Sequence, residues 1–145
     1  MTGRLQPRPA VGYSGTPLAK KLGIGEGSTV ALVGAPADFT IPDLPPGTTV
    51  RRDQRARTDV TLWFVGSLAE LSVRSGQMAK RAQANALWIC WPKRTSGVHT
   101  DVTENTVRAA GLANGLVDFK VAAIDKTWSG LRFAVVSDRT KRVRS

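Results

Sequence analysis

The run VTLWFVGSLAELSVRSGQMAKRAQANALWICWP, Val60 to Pro92, decides the fold. It opens with an apolar stretch, VTLWFV (Val60–Val65), and closes with another, ALWICW (Ala86–Trp91), ended by Pro92. Neither alternates with polar residues. Continuous apolar runs of this length belong to strands buried on both faces, as in a parallel sheet covered by helices. The segment between them reads as a helix. Ser67 can cap it, and Glu70 sits three residues on, a capping box that satisfies the free backbone donors of the first turn. Leu68, Leu71, Met78 and Ala82 follow at helical spacing and define one apolar face. Gly76 is a candidate break in this helix, and Asn85 a candidate left-handed stop.

Working outward, TVALVGA (Thr29–Ala35) is a first strand, and the weak TTVRR (Thr48–Arg52) a second. The proline-rich APADFTIPDLPPG separates them. After Pro92, DVTENTVRAAGLANGL reads as a helix with Asp101 or Thr103 as cap and Val102, Thr106, Ala109, Ala113 and Leu116 on one side. FKVAAI (Phe119–Ile124) and LRFAVV (Leu131–Val136) are the last strands, and the six residues DKTWSG between them are too few for a helical crossover. That pair is therefore expected as an antiparallel hairpin. Strand-helix-strand-helix-strand from Val60 to Ile124 implies consecutive right-handed crossovers. The expected fold is α/β: a three-layer Rossmann-like domain over 14–138, with a mostly parallel sheet of five to six strands. Residues 1–13 read as a flexible lead and 139–145 as a basic tail.

At 145 residues the chain fits one domain with a sizeable core. The lead lacks the apolar core of a signal peptide, and no apolar run approaches the length of a membrane span. Cys90 is the single cysteine, so no internal disulfide can form. These features point to a cytoplasmic protein with no membrane partner. Lysine and arginine number 21 against 11 acidic residues, a net charge of +10. Such charge attracts polyanions. The basic residues gather loosely in RRDQRAR (Arg51–Arg57) and RTKRVRS (Arg139–Ser145), with no aromatic inside either cluster to stack on bases. A solvated surface with weak, non-specific nucleic-acid affinity is the expectation.

The stretch GYSGTPLAKKLGIGEG (Gly12–Gly27) carries the glycines and lysines of a phosphate loop. A nucleotide loop, however, follows a strand and opens a helix, where backbone amides converge on phosphate. Here the glycines precede the strand TVALVGA. Thr16 and Pro17 read as a cap and first-turn proline, PLAKKL as a short helix, Gly23 as its stop and GIGEGS as a turn. After the strand, only Gly34 is available and Pro36 removes a donor, so no dinucleotide or S-adenosylmethionine cofactor is expected. Asp53 imitates a ribose-binding acid only in position, because the loop before it is wrong.

The stretches WPK (Trp91–Lys93), TDVTE (Thr100–Glu104) and TWSGLRF (Thr127–Phe133) are the most distinctive in the chain. Through them and VALVGAP, DVTLWFV and GLVDFKVAAID, residues 12–136 resemble a bacterial family known as domain-of-unknown-function family 3052. The resemblance implies no activity and no catalytic residues. The second half is also similar to the closing half of a class I methyltransferase, with a strand ending in Pro-Lys, a helix and a terminal hairpin. The first half departs from that pattern by lacking the glycine-rich cofactor loop.

One histidine and one cysteine cannot build a zinc ribbon or a thiolate-rich site. Cys90, between Ile89 and Trp91, reads as a small core residue. His99, in KRTSGVHTD, is a solvated loop histidine or an acid–base group with Ser96 or Asp101. No G-x-S-x-G elbow is present; GYSGT misses it by one position. Topology gives the best candidate site, because residues just past the C-terminal ends of parallel strands share one rim. That rim collects Gly34 with Pro36, Ser67, then Trp91, Lys93, Arg94 and Ser96, then Asp125, Thr127 and Trp128. Two tryptophans, cations, hydroxyls and a carboxylate suit a small anionic or planar ligand, or a protein partner. The competing reading has Trp91 and Trp128 closing the core and Lys93 in solvent. A non-enzymatic binding module is the functional expectation, with a divergent methyltransferase-like transferase and a weak nucleic-acid binder as alternatives.

Overall fold

A computed structural model describes residues 16–52 and 57–136. Six strands form one mixed sheet: β1 (Thr29–Val33), β2 (Thr49–Arg51), β3 (Val60–Phe64), β4 (Ala86–Pro92), β5 (Leu116–Ala123) and β6 (Trp128–Val135). Three α-helices accompany them, α1 (Leu18–Leu22), α2 (Leu68–Ala79) and α3 (Glu104–Ala113). The strand order is β2-β1-β3-β4-β6-β5. β1 to β4 run parallel, and β6 runs antiparallel to both β4 and β5. The α/β class, the mostly parallel sheet and the C-terminal hairpin are thus as the sequence implies. The strand β6 lies inside the sheet, and β5 forms one edge.

Alternation along the buried strands divides the core in two. Ala31, Val33, Trp63, Leu87, Ile89, Trp91, Leu131 and Phe133 point to one face and pack with Leu71, Met78, Val102 and Val107 of the α2 and α3 segments. Val30, Leu32, Val60, Leu62, Phe64, Trp88 and Cys90 point to the other, covered by Ala19 and Leu22 of α1 and by Phe39 and Ile41 of the proline-rich segment. The two longer helices therefore share one face, and a five-residue helix with irregular chain covers the second. α1 is fixed there by Trp88, whose Nε1 donates to the Leu22 carbonyl at 3.1 Å, satisfying an orphan acceptor at the helix end. Gly23 closes α1 in the left-handed region, φ 88°. The N-cap residue of this helix is Pro17, one position before its first residue Leu18, so the proline stands at the cap and not in the first turn.

Other local expectations shift. Ser67 Oγ accepts from the Glu70 amide at 3.1 Å, but Glu70 reaches back to the Gly66 amide, at 3.4 Å, rather than to Ser67. α2 runs unbroken through Gly76, and Leu68 at its start is 37% exposed while Leu71 and Met78 are buried. Asn85 is not left-handed; among non-glycine described residues only Asp43 has a positive φ. Thr103 caps α3 in a reciprocal box with Thr106. The buried stripe of α3 is Val107 and Gly111, not Thr106, Ala109 and Ala113. Gly111 sets the distance of α3 from the sheet: a Cβ there would lie 2.3 Å from Phe133 Cε2. Leu116, placed with that helix by periodicity, opens β5.

The hairpin strands are longer than expected. β5 starts at Leu116 and β6 at Trp128, so Trp128, Ser129 and Gly130 belong to the strand and not to the connection. The β5–β6 register slips between Asp118 and Lys120, a β-bulge on the edge strand. Among the described residues no helix is long and apolar enough to cross a membrane.

Candidate functional site

The ends of β1, β3 and β4 and the β5–β6 turn form the rim that topology implies, and backbone demands account for several of its polar side chains. Ser67 is the α2 cap. Asp125 Oδ1 accepts from the amides of Thr127 and Trp128, both at 2.8 Å, an Asx turn that shapes the hairpin. Ser96 Oγ donates to the Lys93 carbonyl at 2.7 Å and accepts from the Val98 amide at 3.1 Å. Pro36 lies in a turn clamped by Arg52, whose guanidinium donates to the carbonyls of Pro36, Ala37 and Phe39. Gly34, φ 74°, sits so close to β3 that a Cβ would meet the Phe64 carbonyl oxygen at 2.8 Å. Its role is packing. The acidic Asp53 and, of the basic residues in the Arg51–Arg57 cluster, Arg55 fall outside the described residues, as do residues 1–15 and the tail.

The two tryptophans diverge. Trp91, 6% exposed, joins the core under α2 and α3. Trp128 turns to the opposite face, edge-on to Phe64 with ring centroids 4.9 Å apart, and Phe64 in turn meets Phe39 at 4.8 Å. Lys93 is joined to the hairpin through its backbone, its amide donating to the Thr127 carbonyl at 2.7 Å. Among the described residues the cation–π contact is Arg132 over Phe119, and no such pair links Lys93 to Trp128.

What the structure does bring together is a cleft on the α3 side of the rim. It is open to solvent and encloses about 820 Å³. Trp91 and Pro92 line one side, Thr100, Val102, Thr103 and the first turn of α3 the other, with Arg94, Val98 and His99 on the loop between. Of the ten rim residues, Trp91 and Arg94 line it; Lys93, Asp125, Thr127 and Trp128 gather beside it through the backbone, and Gly34, Pro36, Ser67 and Ser96 do not line it. The α3 N-terminus and His99 were the additions that rim topology missed. The sequence signal for the first is TDVTE, which holds the helix cap.

The cleft loop is held at its start by the Lys93 amide on the Thr127 carbonyl and at its close by two side chains. Thr100 Oγ1 donates to the Gly66 carbonyl at 2.7 Å, and Asp101 Oδ1 accepts from the Leu68 amide at 2.8 Å, stapling the loop to the β3–α2 turn. The carboxylate of Asp101 thereby serves the first turn of α2, where free amides and the helix dipole favour negative charge. Arg94 and His99 are exposed and form no ion pair or side-chain hydrogen bond among the described residues. Glu104, on the far side, is bound to Arg108 at 2.7 Å, and Arg108 also grips Asp118 at 3.1 Å. Those carboxylates hold the Arg108 guanidinium above its ordinary pKa, the Glu104 bond being the larger cause. The acid at the cleft is thus balanced, and the loop leaves positive charge facing it.

Cys90 is fully buried at the centre of β4, and burial pushes its thiol pKa well above the ordinary value, with Asp125 adding to the rise. It stays a neutral, unreactive thiol. No group of three or more His, Cys, Asp or Glu among the described residues is placed to hold a metal. No protein-family model matches the chain, and no curated protein matches it.

Proposed function

We propose that the chain is a non-enzymatic, cytoplasmic binding module of Rossmann-like build, related to domain-of-unknown-function family 3052, that takes a small anionic ligand in the Trp91–Asn105 cleft. The observation that carries this reading is the pairing of a fixed loop with an unpaired cation: Arg94, with the imidazole of His99 on the same loop, faces an open cleft whose other wall is the start of α3. Backbone amides at a helix N-terminus favour anions, and a guanidinium supplies directed donors to carboxylate or phosphate. Two stretches that carry the family resemblance, WPK and TDVTE, supply much of the two sides of this cleft. The reversed β6 supports the likeness of the second half to a class I methyltransferase. The turn after β1 favours binding over methyl transfer, because Gly34 is a contact glycine and Arg52 occupies the carbonyls that follow.

A metabolite pull-down read by mass spectrometry would identify the ligand class. Titration of the isotopically labelled protein with inorganic phosphate tests the site itself. Saturable amide shifts confined to residues 91–105, lost in Arg94→Gln, are expected. Shifts spread evenly over the basic surface, or unchanged in that variant, would overturn the reading.

A further inference from the structure

The bulge in β5 creates a surface that the linear sequence conceals. Up to Asp118 the strand alternates normally, with Leu116 in the α3-side core and Asp118 bonded to Arg108 of α3. One residue is then inserted: Asp118 pairs with Phe133, and Lys120 with Arg132. Without the insertion Lys120 would share the α3 face with Asp118. With it, Lys120 lies across from Arg132 on the opposite face, and its Nζ donates to the Lys21 carbonyl of α1 at 3.0 Å. The inserted residue, Phe119, is 46% exposed, and the Arg132 guanidinium lies over its ring at 5.2 Å. Arg132 also approaches the end of α1, with Nη1 3.2 Å from where a Cβ on Gly23 would stand. Exposed Lys20 and half-buried Lys21 belong to the same short helix. One aromatic and four cations, from three separate parts of the chain, are thus assembled at one corner of the sheet. Among the described residues none of these four cations has a carboxylate partner.

We infer that this corner, built on Phe119, Lys120, Arg132, Lys20 and Lys21, binds single-stranded nucleic acid, with a base stacked on Phe119 and the backbone phosphates on the lysines. Sequence-tolerant single-strand sites combine these same two elements, an exposed aromatic that stacks on any base and a cationic track for the backbone. A bulge is the device by which an edge strand re-aims a side chain, and here it turns Phe119 and Lys120 toward the same partner. Arg132 lies over the ring, and 46% of Phe119 remains exposed for a base to meet. A duplex fits less well, because its bases are stacked inside and offer the ring nothing. The surface is separate from the cleft, whose lining residues it does not share.

The test uses the full chain and fluorescence anisotropy with a labelled oligothymidylate of about 12 nucleotides, within the usual site size. Loss of one stacked base should weaken Phe119→Ala roughly ten-fold, and Phe119→Trp should retain affinity. The double variant Lys20→Gln/Lys120→Gln should lower the slope of log affinity against log salt by about 1.4, the value for two single-strand phosphates. Because Lys20 is exposed and Lys120 is on the edge strand, that variant keeps the test open even if Phe119→Ala folds poorly. Three results would overturn the inference: equal affinity for Phe119→Ala and wild type, equal affinity for the corresponding duplex, or tighter binding to anionic phosphatidylserine vesicles than to the oligonucleotide.

Discussion

Gly111 and Gly76 lie inside α3 and α2, toward their C-terminal ends, yet replacing each with alanine should change stability in opposite directions. In a helix interior, glycine is worth about 0.5–1 kcal/mol less than alanine, so helix propensity alone favours both substitutions. The surroundings decide. At Gly76 the nearest atom to an added Cβ is Asn114 Oδ1 at 3.4 Å, ordinary contact at an exposed site. At Gly111 the Cβ would stand 2.3, 2.8 and 3.0 Å from three atoms of the Phe133 ring. Apolar carbons rest about 3.5–4.0 Å apart, so ring or helix must retreat by more than an ångström. Phe133 is 2% exposed and packed in the α3-side core, leaving the ring little room. Overpacking of this kind costs about 1–3 kcal/mol, which exceeds the propensity gain. Gly111→Ala should therefore lose about 1–2 kcal/mol, and Gly76→Ala should gain about 0.5 kcal/mol. With roughly 2–4 °C per kcal/mol for a chain near this size, calorimetry or a denaturant series separates the two. A Gly111→Ala protein as stable as wild type would show that α3 does not sit on Phe133 as described.

Cys90 should resist a soluble thiol reagent in the folded protein and react fully once denaturant is added, because its thiol is buried and held neutral. The same feature gives a pH dependence. The folded thiol is raised above its ordinary value of 9.0, so its contribution is unchanged below that pH and stability falls above it, as the unfolded chain alone ionises. Cys90→Ala should flatten that alkaline fall, seen as a smaller drop in urea midpoint between pH 8 and about 10.5. Asp101→Ala frees the Leu68 amide and should cost about 1 kcal/mol, while weakening phosphate at the cleft through release of the loop; unchanged affinity would separate the staple from the site. S-adenosylmethionine and NAD should bind no tighter than about millimolar, equivalent to about 4 kcal/mol, with a micromolar calorimetric constant as the contrary result.

The framework was legible where one physical demand dominates. Continuous apolar runs such as VTLWFV need two covers, and the short link after Ile124 leaves the last strands no way to run parallel. Helix faces were legible only where large residues mark them. Leu71 and Met78 fix α2, but α3 offers Ala109, Ala110, Gly111 and Ala113, whose small side chains leave the rotation undetermined until Phe133 selects Gly111. The rim was located by topology, whereas the duties of Ser67, Ser96 and Asp125 depend on nearby backbone geometry that spacing does not encode. The bulge at Phe119 left no mark in the pattern, since an inserted residue in an edge strand looks like any other. That is why a basic and aromatic cluster assembled across Lys20, Phe119 and Arg132 escaped a search for contiguous charge.

The position of β6 has a consequence for how the molecule comes into being. As the chain leaves the ribosome, β1 to β4 can pair in order, each finding a neighbour already made. β5 cannot. Its only partner is β6, and the flank of β4 that β6 will occupy stays open until residues 128–135 have emerged. Trp88 and Cys90 face the side chains that this last strand brings, with Gly130 settling 3.3 Å from both in projection of its missing Cβ. A nascent chain halted before Trp128 thus exposes the open edge of β4 together with an unpaired β5, the kind of surface on which chaperones and aggregation compete. A single late insertion closes the sheet, so the eight residues of β6 act as a completeness check: a chain that lacks them has most of its core sequence and no finished fold.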